Sequence, residues 1–308
     1  MADRTLPHRT PSQRTPPLRT PPLRTAPLRT ALPDRLGALP RAAEALRAYA
    51  LIARMWLRAS LAYRTSFWLT ALGNAVTSGL DFVIIVIMFL HTSALGGWSL
   101  PQVAFLYGTS GMTLGLADLT VGSLDQLGQR VRDGSVDTVL VRPAAALAQL
   151  SADRFAVRRM GRVVQSTLVL AWAVSRLHLD WTAGRLLVTL MLLICGSVIF
   201  GSVFVAGAAF QFIAADAAEV QNSVTYGGST MLQYPPTVFA RDLVRGVVYG
   251  VPLAFVNWLP AMYVLGVPNT LGLPDWFRFA SPAAALLCAT AASLAWRVAL
   301  RLYRSTGS

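Results

Sequence analysis

Few side chains in this chain have the type and spacing to do chemistry. Asp81 and Asp118 stand out because each interrupts an otherwise apolar stretch. A carboxylate within a hydrocarbon layer is costly unless it faces protein or water, so both are candidates for a translocation path, meeting substrate or a proton. The plainer role for either is an interhelical hydrogen bond and, for Asp118, nearness to the inner surface. His8, His91 and His178 lie on three separate segments without metal-ligand spacing. Cys195 and Cys288 sit inside apolar runs and read as small hydrophobes. There is no Gly-x-Ser-x-Gly, no His-Glu-x-x-His and no paired catalytic cysteine. We expect no catalytic residue, no cofactor site and no metal site on this chain.

The elements that must position those carboxylates are long apolar helices. From Phe67 to Leu90 one charge, Asp81, interrupts the run, and at 1.5 Å per residue the segment spans roughly 36 Å, enough to cross a bilayer core. With 54% hydrophobic and 13% charged residues, the chain has too little polar surface for a soluble globule of 308 residues. The expected fold is all-α: a polytopic integral membrane protein with six transmembrane helices, preceded by an amphipathic interfacial helix. The spans expected are about 67–90, 103–122, 163–177 and 186–213, a weakly defined fifth, and 277–296. For the fifth, two readings stay open. Either 217–239 is a polar span followed by a proline-broken hairpin over 242–266, or 243–266 is the span and the preceding segment stays at the inner interface. Trp68, Trp98, Trp181, Trp276 and Trp296 fall at span ends, as an aromatic belt requires.

All 27 basic residues are arginine, so the lysine of a phosphate-binding P-loop and any Schiff-base lysine are excluded. Twelve arginines precede Ser66, seven lie between Arg130 and Arg162, and three follow Trp296. That one-sided distribution follows the positive-inside rule and points to anionic lipid rather than nucleic acid as the partner of the +13 charge. Both termini are then cytoplasmic. Arg176, Arg185 and Arg278 fall outside, with Arg241 and Arg245 unassigned.

The chain divides into residues 1–38, 39–65 and 66–308. Arg-Thr dipeptides at 4, 9, 14, 19, 24 and 29 give the first segment a five-residue, proline-rich repeat, expected to be a disordered basic tail. It holds no apolar core, so no cleavable signal peptide is expected. In the second segment Arg47, Arg54 and Arg58 share a helical face, flanked by Leu51 and Leu61, opposite Ala45, Tyr49, Ile52, Trp56 and Tyr63.

The inner loop 123–162 carries the clearest polar pattern. Leu124, Leu127 and Val131 recur at helical spacing, with Asp125, Gln129, Arg130 and Arg132 around them. Gly134 is placed to end that helix in a left-handed turn, and Pro143 to begin another. This is the pattern of a docking element for a cytoplasmic partner, with Leu124, Leu127 and Val131 as its apolar anchor. The run Gly134, Asp137, Leu140, Arg142, Pro143 resembles the first inner loop of ABC transporter permeases of the type-2 exporter class. Gly97-Trp98, Tyr234-Pro235, the Pro252…Asn257-x-x-Pro260 segment and the ending Tyr303–Ser308 are similar too, so the resemblance covers about residues 40–308. It implies a dimeric permease driven by a separate cytoplasmic ABC ATPase that holds the ATP, and it implies the polar fifth span with a re-entrant hairpin. It supplies no substrate; an amphiphile would fit a path of Ser, Thr, Gly and aromatics. The alternatives are a proton-coupled secondary transporter using Asp81, or a membrane-embedded enzyme.

Overall fold

A computed structural model describes residues 38–62, 64–153, 159–214 and 217–303. The repeat tail, Arg154, Arg158 and Asp216 lie outside the described residues. Among those described the structure is helical, with one isolated bridge, Leu95 to Trp98, closing the turn before α3. The chain forms α1 (Ala38–Ala62), α2 (Arg64–His91) and α3 (Leu100–Val121), then α4 (Leu127–Arg132), α5 (Ser135–Leu140) and α6 (Ala146–Ala152) in the loop. It continues with α7 (Met160–Arg176), α8 (Ala183–Gln211), α9 (Ala218–Asn222), α10 (Gly228–Leu232), α11 (Arg241–Arg245), α12 (Trp258–Leu265) and α13 (Ser281–Leu302).

The axis of the bundle is α3, which packs on α7, α8 and α10. Its approach to α7 is unusually close because three glycines line the contact. A Cβ on Gly108 would lie 2.8 Å from the Leu170 Cβ, one on Gly115 would lie 2.9 Å from a Val163 methyl, and one on Gly111 would meet the Ser166 hydroxyl. Small residues at such spacing let helix backbones meet where lipid supplies no hydrophobic drive. By contrast α8 and α13 are long and apolar enough to cross a membrane, and the chain itself covers only 33% and 22% of their apolar windows. Leu187, Leu190, Leu286 and Leu287 point outward, as a lipid-facing surface requires. The less apolar α3 is buried in protein, where Thr and Ser find partners.

Residues 217–266 fold as a helical path followed by a broken hairpin. Residues 218–232 form one helical path, α9 to α10, widened by a π turn at Ser223–Gly227. This path runs antiparallel to α3: Gln221 lies beside Gln211, Ser229 bonds Ser110, and Thr237 donates to the Gly96 carbonyl at 2.8 Å. A hairpin follows, α11 and a π turn to Gly250, then an 82° break before Leu253–Leu265. Its tip reaches inward, because Asn257 lies fully buried against Leu106, Thr109 and Leu232. Its far end returns to where α8 starts, with Tyr263 near Gly184 and Gly266 near Arg185. Both ends of the hairpin therefore lie at the end of the bundle that holds residues 92–99, the turn end. A single straight helix over 243–266 is not what forms.

Helix α1 forms where amphipathic periodicity places it, with Ala45, Tyr49, Ile52 and Trp56 half-buried and Arg47, Arg54 and Arg58 exposed. The tryptophan belt needs correction. Trp98 and Trp296 are 2% and 6% exposed, packed inside the protein, while Trp276 is 64% exposed. A span-end position does not distinguish a side chain facing lipid from one facing a neighbouring helix.

Candidate functional site

At the loop end of the bundle, α3 gives way to a 3-10 turn, Gly122–Gln126, and then to α4. Gly134 sits at φ 70°, the left-handed turn that separates α4 from α5, as its position in the sequence requires. Pro143 starts no helix; α6 begins at Ala146. The apolar residues of this loop face the chain's own interior. Leu124 and Leu127 are 1% exposed and Val131 is buried with them, in a second core with Val136, Leu150, Ala208, Ala209 and Trp296. They are not a docking anchor for a partner, and that expectation is corrected. Helical spacing reports that a face is apolar, and here α6, α8 and α13 cover it.

Polar contacts fix the same module to the helices. The Gly128 amide donates to Gln211 Oε1 at 2.6 Å, and the Ser123 hydroxyl donates to the Ser151 carbonyl. Arg130, also buried, pairs with Asp153 at 2.6 Å. Tyr303 donates to Asp137 Oδ1 at 3.0 Å, and its pKa is pushed up to about 12 by burial and then by that bond. The exposed residues of the loop include Gln126, Gln129, Arg132, Asp133, Ser135, Thr138 and the tip Val141-Arg142-Pro143. Thus the structure keeps Arg132, Arg142 and Pro143 on the surface and turns Leu124, Leu127, Arg130 and Val131 inward.

Asp118 is buried at the junction of this loop with the bundle. Arg159, entering α7, reaches Asp118 Oδ1 through Nε at 3.3 Å, the Asp118 carbonyl at 3.1 Å and Asp125 Oδ2 at 3.7 Å. Tyr226, within the π turn, donates to Asp118 Oδ1 at 3.4 Å. One guanidinium thus links α3, the loop and α7, and Asp118 extends the link to the 218–232 path. Helix α1 joins it: Tyr49 donates to the Thr120 carbonyl at 2.9 Å, and burial raises its phenol while Arg159 pulls it the other way. The sequence singled out Asp118 but missed Arg159, whose partners lie 41 and 34 positions away.

From Tyr226 a polar cleft opens between four helical segments. Asp81 comes from α2, Tyr107 and Gly111 from α3, and Arg162, Gln165 and Ser166 from α7. The fourth wall, 218–233, brings Tyr226, Ser229, Thr230 and Gln233. The Arg162 guanidinium lies 5.3 Å from the centre of the Tyr226 ring, and Gln165 donates to the Tyr107 hydroxyl at 3.0 Å. Asp81 and Asp118 therefore do not share one site: Asp81 lines the cleft, and Asp118 stands behind its Tyr226 wall. His91 and His178 are exposed, away from both sites, and no three metal-ligating side chains cluster among the described residues.

A family model described as an ABC-2 family transporter protein matches residues 75–307. The chain belongs to the ABC-2 transporter family. That membership makes it a membrane permease subunit of an ABC transporter. No curated protein and no solved structure matches it. The matched stretch of this ABC-2 permease contains the loop module, the cleft and the hairpin, and omits α1 and the repeat tail.

Proposed function

We propose that this chain is half of a six-span export pathway in a bacterial plasma membrane, driven by a separate cytoplasmic ATPase and completed by a second permease, identical or homologous. The six spans are α2, α3, α7, α8, the 218–232 path and α13, with both termini and the loop end in the cytoplasm and α1 along the inner interface. ATP and its hydrolysis belong to the partner, since no lysine is present to cradle a phosphate here. The cleft, with Asp81, is the translocation surface of this half.

The observation that carries this reading is the construction of the loop end. Its core is sealed by the chain itself, so the module moves as one body with α8 and α13, while its tip, Val141 to Pro143, is exposed beyond that core. Work delivered to the tip passes through the Asp125–Arg159–Asp118 link to α3 and α7, and through Tyr226 to the cleft. The contact on the ATPase is then made by exposed Val141, 73% accessible, with Arg132 and Arg142 beside it, setting orientation as rim charges do. Changing Val141→Asp together with Arg142→Glu should leave insertion and thermal stability unaltered and abolish co-purification with the ATPase. Retention of the ATPase by that variant removes the tip from the coupling surface.

A further inference from the structure

The walls of the cleft differ from every other face of the bundle. Of the ten residues lining it, nine carry a hydrogen-bonding side chain, Gly111 being the exception. The outward faces of α8 and α13 are leucine, isoleucine and valine. A path that accommodates the tail of an amphiphile needs apolar wall, and here the Tyr107 and Tyr226 rings supply little of it; a mostly polar wall at membrane depth must face water or a polar solute.

Three groups in the cleft are without partners. Ser166 is 1% exposed, and its hydroxyl, which borders the cleft, has no hydrogen-bond partner. Arg162 has no carboxylate at ion-pair distance among the described residues, resting instead over the Tyr226 ring. Asp81, exposed, has neither ion pair nor hydrogen bond among them. The two charges enter the same cleft from different helices, Asp81 from α2 and Arg162 from α7, where the guanidinium rests over the Tyr226 ring. A solute carrying both signs of charge meets a counter-charge for each.

We propose that the cleft binds a hydrophilic zwitterionic solute, its anionic group at Arg162, its cationic group at Asp81, and hydrogen bonds to the Gln, Ser and Thr side chains between. This rests on the permease reading and replaces an amphiphile as substrate class.

The test uses Thr230→Cys as a reporter on the exposed edge of the cleft, with Cys195→Ala and Cys288→Ala, in the full chain reconstituted in nanodiscs. Its modification is timed with a cationic methanethiosulfonate, the ethyltrimethylammonium reagent, with the anionic ethylsulfonate reagent, and with lipid-soluble N-phenylmaleimide. Both charged reagents should react. Arg162→Gln should slow the anionic one roughly fivefold and Asp81→Asn the cationic one by a similar factor, as expected for loss of one charge at short range in a partly screened site. Arg162→Lys and Asp81→Glu should restore the rates. Reaction with the maleimide alone would place the cleft against lipid or a second subunit and overturn the proposal. Charged-reagent rates indifferent to both neutralisations would overturn it as well. Neither readout needs the ATPase, so the permease reading stands or falls separately, on co-purification.

Discussion

The two ends of the bundle are held by different chemistry. At the turn end the only ion pairs among the described residues, Asp242–Arg245 and Asp275–Arg278, are local, and the ties between elements are neutral: Asn257 donates to the Leu106 and Leu232 carbonyls, each at 3.0 Å, and accepts from Thr109 at 2.9 Å. Trp258 donates to the Tyr234 carbonyl and Ser281 to the Phe255 carbonyl. At the loop end buried ion pairs join the neutral bonds of Gln211 and Ser123: Arg159 with Asp118 and Asp125, and Arg130 with Asp153. Neutral bonds bury at low cost and fix one geometry. Buried charges cost desolvation and hold only while each keeps its partner, so small displacements change their energy steeply. A transporter that receives work at one end has reason to place its responsive contacts there and its rigid ones at the other.

This contrast sets an order of effects. Removing the loop-end cation should cost most: Arg159→Gln strips Asp118 of its counter-charge and should lower stability by about 3 kcal/mol, read as a depressed unfolding midpoint in detergent. Asn257→Ala leaves two buried carbonyls without their donor and should cost about 2 kcal/mol. Should Asn257→Ala prove the more damaging, the ionic end is not the one under greater tension. The smallest effect belongs to Tyr303→Phe, which loses one peripheral bond worth under about 1 kcal/mol. Its pH dependence sharpens the contrast. The folded phenol is raised to about 12 from 10.0, so its stabilisation is full below about 10 and lost as pH rises through about 12. The variant should show no such loss over that window.

How much of this was legible depended on whether a signal is local. The left-handed turn at Gly134, the helical phase of Leu124, Leu127 and Val131, and the two faces of α1 could all be read, because each follows from neighbours within a few residues. What covers an apolar face could not be read from its periodicity, and so the anchor was assigned to a partner when α6, α8 and α13 supply it. Arg159 gave no local sign, since an ion pair across 41 residues is a property of the packed helices. The spacing of Gly108, Gly111 and Gly115 was a readable sign of close helix packing that went unused. The polarity of the cleft was not readable at all, because its walls come from four segments, each contributing a few polar positions to a largely apolar helix.

The hairpin between Arg241 and Leu265 constrains how the protein is made. Its broken backbone at 251–257 is satisfied only in part, by a short 3-10 turn at Leu253–Phe255, and its tip is held by side chains and carbonyls of α3 and α10. Such a segment cannot be left in lipid while waiting for partners. During biogenesis α3, α8 and the 218–232 path must therefore be assembled before the hairpin can seat, and Ser281 can bond the Phe255 carbonyl only after it has done so. Helix α13, which follows the hairpin along the chain, is thus the one that locks it in, and a chain truncated before α13 should be recognised by membrane quality control as unfinished.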